Sequence, residues 1–404
     1  MDDKNKKAIE GIRVLDMTQF LSGPYCTTIL ADLGADVIKI ERPDRPTGPG
    51  PYVQGESVYN LATDRGKRSI TLNLKDSRDK EIFMRLVEKS DVIIHNFRPG
   101  TVEKMGVSYE EIVKCKPDII YTAISGFGQT GPYRHKGALD TVIQAMSGIM
   151  SLTGEKDGKP YRVGTSIGDI VSGLYAAVGT VAAIGHRERT GEGQYIDIAM
   201  LDSAFSCLEV AVTNYFCTGK APTRNGNKHQ TAAPFQPFKT KDGDIVITAN
   251  RNASYAALCK ALGREDLLAD ERFVSTYSRK LNEDALEIEL ERTTAEMTMA
   301  EIEAKLEPVG VPTGRINTVE MVAADPQIVA RNMVFEVNHP LVGPYKVVGS
   351  PLKMSRTMPN NLRPCPMLGQ HTEEILQGIL GMSAEEVAAF QKLQREFLTA
   401  NNQE

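Results

Sequence analysis

The opening of the chain constrains the fold most. Ile12-Arg13-Val14-Leu15-Asp16 has the apolar content of a short strand, Ser22-Gly23-Pro24 opens a helix that runs through Leu33 and closes at Gly34, and Val37-Ile38-Lys39-Ile40 is a second apolar strand. Strand, short helix and strand in that order imply a parallel pair joined by a right-handed crossover. The pattern continues with a strand at Ser69 to Leu74, a helix at Lys80 to Glu88, and strands at Val92 to His95 and Ile119 to Ile124. The expected fold class is α/β, a doubly wound, mostly parallel, Rossmann-like sheet.

Such sheets commonly bind nucleotides at the turn after the first strand. Here that turn reads Gln19-Phe20-Leu21-Ser22-Gly23-Pro24-Tyr25, with one glycine where the dinucleotide fingerprint needs three, which argues against an NAD enzyme. Phosphate-loop, nucleophile-elbow and zinc-protease motifs are absent from the sequence as well. A net charge of −5 gives no bulk attraction to nucleic acid or an anionic membrane, so phosphate recognition must be local and neither is expected as a partner. The six cysteines form no C-x-x-C pair, so no metal site and no disulfide framework is expected, as suits a reducing cytoplasm. The first residues, with Lys4, Lys6 and Lys7, read as a solvated terminus and not a secretory signal.

At about one domain per ~150 residues, 404 residues suggest two or three domains. A second organisation begins near Asn225: a turn at Asp242-Gly243 precedes a strand at Ile245 to Thr248, and helical periodicity follows at Tyr255 to Leu262, Leu286 to Arg292 and Met299 to Leu306. The expected division is residues 1–224 as the large α/β domain, 225–325 as a smaller α+β domain, and 326–404 as a segment returning to the first. That segment contains strands near Val334 to Val337 and Tyr345 to Val348, and a helix at Ala384 to Phe397.

One carboxylate stands apart. Asp169 precedes a run, Ile170 to Gly185, without a single charge, in which Leu174, Val178 and Val181 recur at helical spacing. This reads as a buried core helix, too short to span a membrane, with Asp169 in its first turn. Free N–H groups and the helix dipole there favour an ionised carboxylate. The plain alternative is that Asp169 is only the N-cap.

Several strings, in order along nearly the whole chain, resemble the class III coenzyme A transferase family, which includes the formyl-CoA:oxalate and carnitine-type enzymes. They are Gly11-Ile12-Arg13-Val14-Leu15-Asp16, Gly34-Ala35-Asp36-Val37-Ile38-Lys39-Ile40-Glu41-Arg42-Pro43, Lys67-Arg68-Ser69-Ile70, Asn96-Phe97-Arg98-Pro99-Gly100 and Gly168-Asp169. Gln144-Ala145-Met146-Ser147-Gly148 and Arg189-Thr190-Gly191-Glu192-Gly193-Gln194 add to them. The resemblance implies that CoA moves from an acyl-CoA donor to a small carboxylic acid, with CoA as substrate and no tightly bound cofactor. Asp169 would attack the thioester to give a mixed anhydride, and CoA thiolate would convert that to an aspartyl-CoA thioester. It assigns CoA binding to Arg42, Leu72, Lys75, Asn96, Phe97, Arg98, Lys104 and Met105, and gives Asp140 a part in orienting Asp169. The family's glycine-rich covering loop matches Thr248-Ala249-Asn250-Arg251-Asn252, which lacks the glycines. An interlocked homodimer is also implied, with Thr218 to Pro237 and Val322 to Pro340 as linkers.

Two other readings share these features: an α-methylacyl-CoA racemase and a non-catalytic CoA-binding homologue. The racemase histidine lies in a Gly-His-Asp string, which here is Ala138-Leu139-Asp140, and leucine transfers no proton. His95 and His135 read as a strand-end and a loop residue, not bases. Leu21 stands where oxalate-using members carry glutamine, which favours a more apolar acid.

Overall fold

The computed structural model describes residues 7–44, 48–359 and 361–401, so Lys4 and Lys6 lie outside it. The chain divides into two compact units. The first takes the described residues up to Ser147, then Val163–Leu208 and those from Gln327 onward; the second takes Gly148–Arg162 and Glu209–Pro326. Residues 148–162 and 209–224, which the sequence reading placed in the large domain, thus group with the second unit.

The first unit is built on six strands, β1 (Arg13–Asp16), β2 (Asp36–Glu41), β3 (Arg68–Thr71), β4 (Val92–His95), β5 (Ile120–Ser125) and β6 (Gln194–Ala199). Their spatial order is β3-β2-β1-β4-β5-β6, and every pair is parallel. This is the expected doubly wound α/β sheet, and its strand order reverses between β1 and β4. Leu15 of β1 faces Ile38 on one side and Ile93 on the other, all fully buried. Helix α1 (Ser22–Leu33) carries Pro24 in its first turn and ends where Gly34, at φ 111°, turns its N–H back to Ala31. Helix α2 (Ser77–Glu88) lays Ile82, Phe83, Leu86 and Val87 into the same core; each such side chain contributes roughly 1.5–3 kcal/mol.

Two further helices of this unit matter for the site, α3 (Asp140–Ser147) and α4 (Ile167–Thr190). One face of α4 is buried through Gly173, Ala176, Ala177, Thr180 and Ala183, whose small side chains let it lie close to the sheet; the Thr180 hydroxyl is 2.9 Å from that of Thr122 on β5. The other face is not core: Leu174, Tyr175 and Val178 are 43%, 46% and 66% exposed. At 24 residues α4 is also longer than the uncharged run suggested, and by length and composition it is apolar enough to cross a membrane. The C-terminal part folds as a hairpin of β-strands Val334–His339 and Gly343–Val348 and two helices, Thr372–Gly378 and Ala384–Asn401. It protects the edge of β3, where Ser69 N–H donates to His371 Nδ1 and Gln394 Nε2 donates to the Thr71 carbonyl.

The second unit has an antiparallel sheet of Phe235–Thr240, Gly243–Thr248 and Thr313–Arg315, with the middle strand central. Helices Asn252–Leu262, Glu283–Thr294 and Met299–Leu306 share its core of Phe238, Ile245, Ile247, Leu258, Leu290 and Ile302. Of the expected linkers, the first has no helix or strand between Thr218 and Phe235, where a strand begins, and the second contains helix Pro326–Ala330 and strand Val334–His339. Ala249 is fully buried and bonded to the Pro234 carbonyl, and buried Arg279 donates to the Asn250 carbonyl and Asn252 Oδ1, each at 3.0 Å.

Candidate active site

The turn from β1 into α1 occupies the switch point of the sheet, where ligands of open α/β folds collect. Its backbone is held from several directions. Asp16 accepts the Thr18 N–H at 2.8 Å and the Thr27 hydroxyl at 2.7 Å. Asn96, just past β4, clamps the peptide groups of Gln19: Oδ1 accepts its N–H at 2.8 Å and Nδ2 donates to its carbonyl at 2.7 Å. The same Nδ2 lies 3.4 Å from Ser22 Oγ.

Beneath this turn lies a buried cluster of two lysines and two aspartates. Lys67 Nζ is 3.0 Å from Asp16 and 2.9 Å from Asp64, and Lys39 Nζ is 2.8 Å from Asp64 and donates to the Thr18 carbonyl. Burial opposes charge on Asp16, but Lys39, Lys67 and the Thr18 and Thr27 hydroxyls hold its carboxyl well below the usual range. Burial likewise disfavours charge on Lys39, yet the surrounding carboxylates raise its pKa. The two lysines balance the two aspartates, with Glu41 a further buried carboxylate acting on Lys39, and this pairing is what makes the burial tolerable.

A cavity of about 680 Å³ opens over the carboxyl ends of β1 to β4, within the range of small-molecule sites. Five of the eight sequence-derived CoA residues line it: Arg42, Leu72, Lys75, Phe97 and Met105. Lys39 and Asp64 of the ion cluster also line it, as does Phe20. The Arg42 guanidinium is half-exposed and paired with Asp44 at 2.6 Å, a fork that a phosphate would have to share or displace. Asn96, Arg98 and Lys104 are not on its wall. Asn96 spends its amide on Gln19, and Lys104 is exposed on the short helix Thr101–Met105 whose last residue faces the cavity. Arg98 lies against Gly137, where a Cβ would come within 2.8 Å of its Nη2.

Asp169 lies in the first turn of α4 but is not its cap. Ser166 holds the N-cap position, and the free N–H of Gly168 is satisfied by buried Asp140, whose Oδ1 accepts it at 2.8 Å. Asp140 is fixed in turn by Gln144, which donates to its other oxygen at 2.7 Å. The Asp169 carboxylate therefore has no capping duty. It is half-buried, and its pKa is raised to about 6, first by burial and then by the Asp140 charge, with a hydrogen bond from Ser22 pulling the other way. This reverses the expectation that the helix terminus dominates its charge state. The crossing of α1 and α4 is tight here; a Cβ on Gly173 would sit 2.6 Å from the Ser22 carbonyl.

The bland readings of the histidines agree with the geometry. His95 is buried and stacked on Phe97, and burial pushes its pKa down to about 4; His135 is exposed and accepts from Arg134 Nε. Leu139 is 74% exposed. What the sequence reading missed is the ion cluster, the Asn96 clamp and the Ser22 contact. One signal was available for the first: Lys39 and Glu41 interrupt an apolar strand that a parallel sheet must bury on both faces.

Residues 9–372 match the family model described as CoA-transferase family III. The chain is 40% identical over 94% of its length to the succinyl-CoA:glutarate CoA-transferase of Mus musculus, covering 88% of that protein. It is 43% identical over 87% of its length to the acetyl-CoA:oxalate CoA-transferase of Acetobacter aceti, covering 90% of it. Among solved structures, a CAIB/BAIF family protein from Brucella suis superposes with a TM-score of 0.83 at 37% identity, over 93% of this chain and all of that one.

Proposed function

Because the chain belongs to CoA-transferase family III, we propose that it exchanges CoA between carboxylic acids by covalent catalysis at Asp169. The observation that carries this reading is a half-buried carboxylate, released from capping by Asp140, at the switch point of a sheet whose strand ends also carry the nucleotide-sized cavity. With a pKa near 6 the group is ionised at neutral pH, yet burial and Asp140 destabilise its charge, which makes it a stronger nucleophile than a solvated aspartate. Its oxygen attacks the acyl carbonyl carbon and CoA thiolate leaves. The thiolate then attacks the aspartyl carbonyl of the anhydride and the donor acid departs. An incoming carboxylate runs the two steps in reverse, and Asp169 is regenerated as the new acyl-CoA forms. Arg42, Lys75, Leu72, Phe97 and Met105 bind the nucleotide half of CoA in the cavity.

The relatives act on glutarate, oxalate and mesaconate by name, so we assign a short dicarboxylic acid as acceptor, in place of the apolar acid that Leu21 suggested. Arg98, which lies against Gly137 in the loop that leads into Asp140, is the cationic side chain we assign to a second carboxylate. The exposed apolar face of α4, and Val210, Tyr215 and Phe216 on helix Glu209–Thr218, which buries no residue, support an interlocked homodimer; folded monomer in ultracentrifugation at working concentration would end that part of the proposal. Six unpaired cysteines support a cytoplasmic location.

Hydroxylamine trapping tests the central step. Enzyme turning over acyl-CoA should yield a hydroxamate on the peptide carrying Asp169, found by mass spectrometry. Turnover without any label on that peptide would remove the covalent intermediate from the proposal.

A further inference from the structure

Phe20 is the one bulky aromatic side chain among the described residues held at positive φ, at 63°. That left-handed conformation is strained for a β-carbon-bearing residue, and such residues persist only where their surroundings over-determine them. Here the surroundings are explicit. Before Phe20, the Thr18 carbonyl is held by Lys39, and both peptide groups of Gln19 are held by Asn96. After it, the Leu21 carbonyl accepts the Tyr25 N–H and commits the chain to α1. The phenyl ring gains little packing in return, being 66% exposed. An unstrained alternative at this position is an asparagine or glycine. The chain instead retains a large apolar group and projects it at the rim of the cavity, whose wall it forms.

Its place along the route to Asp169 is fixed by covalent geometry. Two residues later the Ser22 carbonyl packs on Gly173, one turn beyond Asp169 on α4, where a Cβ would come within 2.6 Å of it, and two residues span at most about 7 Å. A ligand with its nucleotide in the cavity and its thioester at Asp169 must therefore pass across this turn. Resting on the acyl-CoA reading above, we infer that Phe20 is a binding residue, a wall against which the flexible pantetheine arm of acyl-CoA lies between the nucleotide cavity and Asp169. The strained backbone directs the ring there, and an ordered arm delivers the thioester to the carboxylate in one orientation.

Calorimetric titration of wild type, Phe20→Asn and Phe20→Tyr with CoA and with adenosine 3′,5′-bisphosphate, the nucleotide half of CoA, tests this alongside thermal melts. Phe20→Asn should melt at or above the wild-type temperature, since asparagine accepts the left-handed region more readily. It should bind the bisphosphate within twofold of wild type and CoA at least tenfold more weakly, with Phe20→Tyr recovering most of the CoA affinity. CoA affinity within twofold for Phe20→Asn, or an equal loss of both ligands, overturns the inference. Wild-type protein that binds neither ligand refutes the acyl-CoA reading itself, and the inference falls with it.

Discussion

Replacing Asp169 by asparagine should make the protein more stable at pH 8 while abolishing exchange. The magnitude follows from its charge. A carboxyl moved from 3.8 to about 6 implies that ionisation in the folded state costs roughly 3 kcal/mol more than in the unfolded chain. Asp169 is the third residue of α4, where the dipole returns up to about 1 kcal/mol to an anion, and it is only half-buried, so solvent screening reduces the figure further. A net gain of about 1–2 kcal/mol remains for the neutral variant. The sign depends on pH: wild type carries the penalty fully above pH 6, and it shrinks as Asp169 protonates on the way down to pH 4. Urea denaturation at pH 8, 6 and 4.5 should show Asp169→Asn ahead by that margin, then by slightly less, then by about a third of it. Exchange of CoA between labelled acid and acyl-CoA should fall by more than a thousandfold, since an amide oxygen is too weak a nucleophile. A stability difference that is flat with pH, or Asp169→Asn less stable at pH 8, would refute the electrostatic reasoning. Exchange within about tenfold of wild type, a barrier change of only ~1.4 kcal/mol, would refute the catalytic role.

The acid limb of kcat/KM should lie near pH 6 in wild type and move down in Asp140→Asn, because removing a like charge favours ionised Asp169; pH–rate profiles that coincide would exclude this coupling. Ser22→Ala should move the same limb up, since the carboxylate loses a donor, and a downward shift would contradict the Ser22 contact. Arg42→Ala should raise KM for acyl-CoA about tenfold with kcat little changed and stability within ~0.5 kcal/mol, because its ion pair among the described residues is the half-exposed one with Asp44; an unchanged KM would remove Arg42 from phosphate binding. Lys67→Met leaves Asp16 and Asp64 facing each other with one cation fewer, a loss of about 3–5 kcal/mol measurable by denaturation, and a loss below ~1 kcal/mol would show that the cluster is not held as described.

The extent to which residues spoke for themselves differed with the range of the interaction. Helix α1 was legible to its last residue, Ser22 to Leu33, because Pro24 and Gly34 act on their own backbone. Strand β4 was legible as Val92 to His95 because a strand covered on both faces of a parallel sheet is apolar throughout. The parallel order followed from alternation of strands and helices alone. In contrast, α4 was read as a core helix from its uncharged run, yet only contacts with its neighbours decide which face is buried, and Tyr175 and Val178 face outward.

The site shows the same division more sharply. Asp169 stood out in the sequence as a lone carboxylate before an uncharged run, and the family strings gave it a role. Its charge state was decided elsewhere, by Asp140, 29 positions earlier, which takes the helix-capping bond and presents a second negative charge. The clamp on Gln19 comes from Asn96, 77 residues away, and the partners of Lys67 include Asp16, from the first strand. Local rules of propensity and capping act over a few residues and can be read along the chain. Desolvation and charge pairing depend on which atoms exclude water from a group, and only the folded sheet brings those atoms together.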